Sequence, residues 1–206
     1  MFHSGTGSKI YQHSPDNSWR VSTLEQHLQS RVPRDLLQKI YELHMPKDGM
    51  VYNVYGDGNC LFRAVSVSLL GNEEGYQELR QLTAKELPHI IEQEMRGQHL
   101  PGERPTPASI QAYWLNYYIA LRRVDGRTPK GGETIQHYAN IMARDSVWGG
   151  LLEIKTLSSI LKRTIHCINY SSHSIESLEV EGSDPLYIFN TGGHFHGFWV
   201  PLKIAN

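Results

Sequence analysis

The sequence has little of several features that would define its class. Its 206 residues include only two cysteines, Cys60 and Cys167, which is too few for a disulfide scaffold. That scarcity indicates a reducing compartment, in which a thiol stays available for chemistry. No apolar run approaches the ~20 residues that span a bilayer, and no basic start followed by an apolar core marks a signal peptide. We therefore expect a cytosolic protein with no membrane partner.

An excess of charge of one sign is also missing. The chain has 20 Lys and Arg against 21 Asp and Glu, and its formal net charge is -1. This near-neutral balance gives no reason to expect a nucleic-acid partner. We see no metal-ligand spacing among the eleven histidines, so we expect no metal and no other cofactor. The length suits a single domain over residues 21–206, preceded by a polar, flexible N-terminus over residues 1–20.

Helical patterns fill the first three quarters of the chain, and strand patterns are concentrated in the last quarter. Residues 50–55 are β-branched and aromatic, which is typical of a strand or of an extended lead-in to a turn. We expect helices at about 23–31, 33–44, 60–70, 76–95, 107–123, 133–144 and 151–161, and strands at 164–170, 178–180, 186–189 and 194–202. This order predicts an α+β or three-layer α/β domain, with a small central sheet flanked by helices.

The stretch Gly56-Asp57-Gly58-Asn59-Cys60 is followed at once by an apolar run that ends at Gly71. The pattern predicts a turn that leads into a buried helix, with Asn59 as the N-cap and Cys60 in the first turn. At a helix N-terminus, unpaired backbone N–H groups and the helix dipole favour thiolate over thiol. Cys60 is therefore a candidate nucleophile, and the alternative is a small core residue. Cys167 lies on a predicted strand, and we interpret it as core.

Among the histidines, His194 has the most informative position. It directly follows Thr191-Gly192-Gly193 and opens an aromatic strand, so its ring would be held rigidly at the edge of the sheet. A cysteine protease needs a thiolate, an imidazole that relays the proton, and a polar group that orients the imidazole. Cys60 and His194 are candidates for the first two roles. His196 lies two residues further along and would share the face of His194.

Residues 97–132 look like an excursion from the main fold, because prolines and glycines interrupt the sequence near both ends. The helix expected at 107–123 carries four aromatic residues, Tyr113, Trp114, Tyr117 and Tyr118. They either pack on the domain or form a protein-binding surface, since Trp and Tyr are frequent anchors at interfaces.

Three motifs resemble those of the ovarian tumour (OTU) family of cysteine proteases. Residues 56–64 resemble the family's Cys-box, and Trp148-Gly149-Gly150 with Glu153 resembles the helix that the family carries before its central strands. Residues 186–189, a short turn and His194-Phe195 resemble its closing His-box. The motifs occur in the family's order over about residues 50–202. The resemblance implies a papain-like OTU fold, in which the excursion at 97–132 is a helical insertion.

The resemblance also implies an activity, deubiquitination, which is hydrolysis of the isopeptide bond between the ubiquitin C-terminus and a lysine. By similarity, Cys60 would be the nucleophile, His194 the general base and acid, and Asp57 the residue that orients His194. Backbone N–H groups of Asp57, Gly58 and Cys60 would form the oxyanion hole. Ubiquitin or polyubiquitin would be the partner, and the aromatic residues of the insertion would bind it.

The chain departs from the family pattern at His196, where many members place Asn or Asp. His196 could orient His194, line the channel for the ubiquitin tail, or act as the base itself. We favour His194 as the base, because a glycine turn precedes it and Phe195 follows it. The missing Asn or Asp gives more weight to Asp57 as the orienting residue.

Two other functions stay open at this point. The chain could be a catalytically weak ubiquitin-binding module, or a protease for another modifier that ends in Gly-Gly. The insertion and the unusual His-box would suit a bacterial effector delivered into the host cytosol, and a eukaryotic cytosolic enzyme is the alternative.

Overall fold

A six-stranded sheet with helices on both faces forms the part of the chain that the computed structural model describes, residues 20–97 and 135–201. The helices there are α1 (Leu24–Arg31), α2 (Arg34–Glu42), α3 (Cys60–Leu70), α4 (Tyr76–Gly97), α5 (Ile135–Met142) and α6 (Leu151–Leu161). The strands are β1 (Val21–Thr23), β2 (Met50–Asn53), β3 (Ile165–Asn169), β4 (Ser174–Leu178), β5 (Leu186–Asn190) and β6 (Phe195–Trp199). None of the described helices is long and apolar enough to cross a membrane.

This architecture confirms the α+β prediction and most of the expected elements, with small shifts at their ends. Two strands differ from expectation. The strand β4 lies earlier than the expected 178–180, and it forms an antiparallel hairpin with β3. The strand β1 overlaps the expected start of the first helix, because Val21–Thr23 pairs with β2 before α1 begins. The helix expected at 107–123 lies outside the described residues, as do residues 1–19 of the expected flexible segment.

The sheet has the strand order β1-β2-β6-β5-β3-β4. Strands β3 and β5 are parallel, and the other neighbouring pairs are antiparallel. The early strand β2 therefore lies beside the last strand, β6. Their register places Asn53 opposite His196 and Tyr52 opposite Gly197, which joins residues from opposite ends of the chain.

The two faces of the sheet are covered by different helices. On β5, Leu186 and Ile188 belong to the core cluster that includes α3, α4, α5 and α6, whereas Tyr187 and Phe189 belong to the cluster under α1 and α2. This alternation follows from the two-residue period of a strand. Burial on both faces explains why β3 and β5 read as almost continuous apolar runs.

The helix α3 packs directly on β6, and Gly197 makes this close approach possible. A Cβ atom at Gly197 would lie 2.6 Å from Val67 Cβ and 2.7 Å from the Ala64 carbonyl oxygen, closer than real Cβ contacts allow. Because α3 begins at Cys60 and β6 begins at Phe195, this packing sets the distance between the two ends that carry the candidate site.

We predict that Gly197→Ala destabilises the protein, since the added methyl group must push α3 away from β6. Overpacking of this kind costs ~1–3 kcal/mol of unfolding free energy. Urea denaturation followed by circular dichroism measures the loss, and Gln38→Ala on the exposed face of α2 is the control. An unchanged unfolding midpoint for Gly197→Ala would contradict the close packing of α3 on β6.

Candidate active site

Cys60 is the first residue of α3, as the sequence predicts. Its side chain is buried, and its thiol lies within hydrogen-bonding reach of the backbone N–H of Phe195. Phe195 directly follows His194, so the structure brings the two candidate residues to the same end of the sheet. Cys167 is a buried core residue on β3, and burial raises its pKa to about 12.

The Cys60 thiol is protonated more readily than the sequence suggests. Burial raises its pKa above the ordinary value, although the backbone N–H groups of Phe195, Leu61 and Cys60 itself act in the opposite direction. The backbone N–H groups thus favour thiolate, as a helix N-terminus predicts, and burial has the larger effect on the pKa of Cys60. Loss of hydration of the thiolate outweighs the dipole and the N–H groups.

The His194 ring is held by Asn53 at the end of β2. His194 Nε2 lies 2.9 Å from Asn53 Oδ1. The opposite edge of the ring faces the turn, because a Cβ at Gly56 would lie 3.8 Å from His194 Nδ1. Burial lowers the pKa of His194, and a hydrogen bond to the Val54 backbone acts against this. Burial thus favours the neutral imidazole, and Asn53 supplies a side-chain hydrogen-bond partner for it.

The carboxylate of Asp57, which is predicted to orient His194, is held by Arg63. Arg63 Nη2 donates to Asp57 Oδ2 at 2.6 Å, and Arg63 Nε lies 3.2 Å from both carboxylate oxygens. Asp57 Oδ1 also accepts from the backbone N–H of Asn59 at 3.0 Å. Partial burial would raise the pKa of Asp57, but these hydrogen bonds lower it to about 2. Asp57 thus stabilises the turn, and the hydrogen bond to His194 comes from Asn53.

His196 shares the face of His194, as its spacing predicts. The two rings are perpendicular, with centroids 5.0 Å apart. His196 Nε2 lies 3.0 Å from Thr191 Oγ1, and the ring also packs against His27 of α1. These contacts place the His196 ring, which belongs to β6, beside His194 and against Thr191 of the glycine turn.

The turn before Cys60 has the conformation that the glycines suggest. Gly58 has a φ of +81°, which favours glycine, and a Cβ there would collide with the carbonyl of Ser146. Asn59 is the N-cap residue, but its side chain makes no capping hydrogen bond. Its backbone N–H is used by Asp57. The N–H groups of Asp57, Gly58 and Cys60 stay the candidates for an oxyanion hole.

Sequence reasoning missed Asn53 because its partner lies 141 residues away. Its only local signal is an asparagine at the end of a strand that leads into the Cys60 turn. The aromatic residues Tyr113, Trp114, Tyr117 and Tyr118 lie outside the described residues. Within residues 20–97 and 135–201, no group of three or more His, Cys, Asp and Glu side chains is arranged to hold a metal ion.

We predict that alkylation of Cys60 by iodoacetamide is slow at neutral pH and keeps rising above pH ~8.5, the ordinary pKa of a thiol. The reason is the raised pKa of Cys60. Mass spectrometry of the labelled protein measures the rate, and Cys60→Ala reports any labelling of Cys167. A rate that stays level from pH ~5 to ~8 would contradict the prediction, since it would require a preformed thiolate.

Comparison with known proteins identifies the family of residues 52–178. The sequence model of a family described as "Vertnin, OTU domain" matches residues 52–178, more than half of the chain. "Putative ubiquitin thioesterase 232R" of Invertebrate iridescent virus 3 is 33% identical over 124 residues, which cover 59% of this chain and 12% of that protein. "OVARIAN TUMOR DOMAIN-containing deubiquitinating enzyme 6" of Arabidopsis thaliana is 23% identical over 168 residues, which cover 80% of this chain and 27% of that protein.

A solved structure described as "Structure of Ovarian Tumor (OTU) domain in complex with Ubiquitin" is 17% identical. The match covers 74% of this chain and 71% of that chain, with a TM-score of 0.49. The chain spans only 12% and 27% of the length of the two curated relatives. Because the family model covers most of the region from β2 to β4 and more than half of the residues, this chain belongs to the OTU domain family.

Proposed function

We propose that this protein is a thiol-dependent deubiquitinase, which hydrolyses the isopeptide bond between the C-terminus of ubiquitin and a lysine side chain. One observation carries the proposal: the Cys60 thiol lies at the backbone N–H of Phe195, the residue after His194, and the His194 ring is hydrogen-bonded to Asn53. Family membership supports a cysteine peptidase. The names of the two curated relatives, a ubiquitin thioesterase and a deubiquitinating enzyme, support ubiquitin as the substrate class.

His194 acts as the general base for Cys60. When Asn53 Oδ1 accepts the Nε2–H of His194, Nδ1 keeps its lone pair and takes the thiol proton. Cys60 Sγ then bonds to the scissile carbonyl carbon, and the C=O π electrons move to the oxygen. Backbone N–H groups of Asp57, Gly58 and Cys60 stabilise this oxyanion.

The imidazolium of His194 then acts as the general acid. It gives its proton to the lysine nitrogen as the C–N bond breaks, which leaves a thioester between Cys60 and ubiquitin. Water then attacks the thioester carbonyl carbon, and His194 takes a proton from this water. That proton returns to Cys60 as the C–S bond breaks, and the free thiol is restored. Asn53 orients the ring in both halves of the reaction, while Asp57 and Arg63 hold the turn.

Two further proposals concern the surroundings of the site. The aromatic residues of the insertion, Tyr113, Trp114, Tyr117 and Tyr118, are the proposed contacts with ubiquitin. The cytosol is the proposed location, because both cysteines are free and a reducing compartment keeps the Cys60 thiol reduced. Delivery into a host cytosol by a bacterium stays a prediction.

A ubiquitin probe with an electrophilic C-terminus tests the activity. We expect the wild-type protein to be labelled covalently and Cys60→Ala to be unlabelled, because the thiol is the attacking group. Cys167→Ala is the matched control and stays labelled, since Cys167 belongs to the core. The shift in gel mobility measures labelling. Binding without labelling would favour the ubiquitin-binding module, and labelling only by another Gly-Gly modifier's probe would favour the alternative protease.

Substitutions at Asn53 and Asp57 test which residue orients His194. We expect Asn53→Ala to lower kcat/KM by on the order of 10²-fold, as for other misplaced catalytic groups. Asn53→Asp keeps an oxygen acceptor and loses less. Asp57→Ala mainly lowers the melting temperature, because it removes the partner of Arg63. Hydrolysis of a fluorogenic ubiquitin amide measures the rates. Normal turnover in Asn53→Ala, together with a large loss in Asp57→Ala, would assign the orienting role to Asp57.

A further inference from the structure

A buried arginine lies directly behind the turn that leads into Cys60. Arg80 belongs to α4, and only 2% of its surface is exposed. The centre of its guanidinium lies 4.3 Å from the centroid of the Phe62 ring, so α3 supports the group. Burial lowers the pKa of Arg80 to about 10, which leaves the side chain positively charged at neutral pH.

The guanidinium joins this turn to the segment between α5 and α6. On the side of the turn, Nη2 donates to the Gly58 carbonyl at 3.2 Å and to Asn59 Oδ1 at 2.7 Å, and Nε donates to Asn59 Oδ1 at 3.0 Å. On the other side, the carbonyls of Met142 and Val147 accept at 2.9 Å and 2.7 Å. Each of these acceptors is neutral. The planar fork of donors therefore matches a set of oxygen positions that no single point charge could satisfy.

The side-chain amide of Asn59 also links the turn to the segment that follows α5. It is fully buried, and its Oδ1 accepts from the backbone N–H of Ser146 at 3.1 Å as well as from Arg80. Its Nδ2 has no hydrogen-bond partner within the described part of the chain. A buried donor without a partner costs stability. An N-cap that served only α3 would turn its oxygen toward the helix N–H groups, whereas here the oxygen faces Arg80.

These contacts fix the orientation of one peptide group. The peptide between Gly58 and Asn59 is planar, so a hydrogen bond that holds its carbonyl also sets the direction of its N–H. The Ser146 carbonyl blocks movement on the Gly58 side, where a Cβ would collide with it. The backbone on either side of this peptide carries N–H groups proposed to bind the oxyanion.

We propose that Arg80 is a positioning residue for the oxyanion hole, because it holds the Gly58–Asn59 peptide so that the neighbouring N–H groups face the reacting carbonyl. It acts through the turn and contacts neither the substrate nor Cys60. This inference rests on the proposed hydrolytic function. It assigns part of the positioning of the oxyanion hole to a residue of α4, which lies outside the three motifs.

Arg80→Lys separates positioning from charge. Lysine keeps the positive charge but lacks the planar fork that serves Gly58, Asn59, Met142 and Val147 together. We expect kcat for a fluorogenic ubiquitin amide to fall by on the order of 10²-fold, since loss of an oxyanion donor typically costs 10²–10³. We expect KM to change by less than about twofold. Inhibition by ubiquitin aldehyde, whose adduct with a thiol carries an oxyanion, should weaken by a similar factor.

Alkylation of Cys60 by iodoacetamide tests whether Arg80 acts on the oxyanion hole alone. A general disturbance of the turn would change the alkylation rate as well as kcat. This displacement forms no oxyanion, so its rate should be the same in Arg80→Lys and the wild type. Arg163→Lys is the matched control, because Arg163 bonds to Asp184 near the start of β5, at the far end of the sheet. We expect that control to keep the wild-type kcat.

The outcomes distinguish the inference from the function on which it rests. Equal losses in alkylation and kcat, or an unchanged kcat, would overturn the role of Arg80 while the wild-type activity still supports the hydrolase. An inactive wild type would overturn both. If Arg80→Lys does not fold, Asn59→Ala removes the same anchor from the side of the turn. It must then show the same split between kcat and alkylation, or the inference fails.

Discussion

The packing of α3 on β6 is the constraint on which the rest of the site depends. Gly197 lets the helix lie against the strand without a Cβ between them. Cys60 opens the helix and Phe195 opens the strand, so the same contact that buries the core brings the thiol beside the backbone that carries His194. The strand β2 then lies next to β6, which places Asn53 within reach of the His194 ring. A packed core resists small displacements, and the site takes its rigidity from that core.

Burial decides the charge state of this site. It raises the pKa of Cys60 and lowers that of His194, so both shifts favour the neutral forms of the thiol and of the imidazole. In the proposed reaction, charge separates as the thiol attacks, when the proton moves to His194 and the backbone N–H groups meet the developing oxyanion.

Charged residues around the turn before Cys60 hold its backbone conformation. The carboxylate of Asp57 is engaged by Arg63 and by the Asn59 N–H, and Arg80 engages the Gly58 carbonyl and Asn59 Oδ1. The turn is thus held from its exposed side by an ion pair and from its buried side by a guanidinium. An acidic residue three positions before the nucleophile is easily interpreted as an orienting group. Its distance from the histidine in space, and not its position in the motif, decides that role.

Local patterns in the sequence determined the helix that begins at Cys60, the glycine turn before His194, the burial of Cys167 and the α+β order of elements. These features depend on residues close together in the chain, so periodicity and turn chemistry are enough to predict them. Only the tertiary structure decided that Asn53 holds His194, that Arg80 supports the turn, and that the pKa of Cys60 is raised. The first depends on a register across 141 residues, the second on a contact between α4 and the turn, and the third on the loss of solvent around a buried group. Each is a property of the packed chain, which no local stretch of sequence contains.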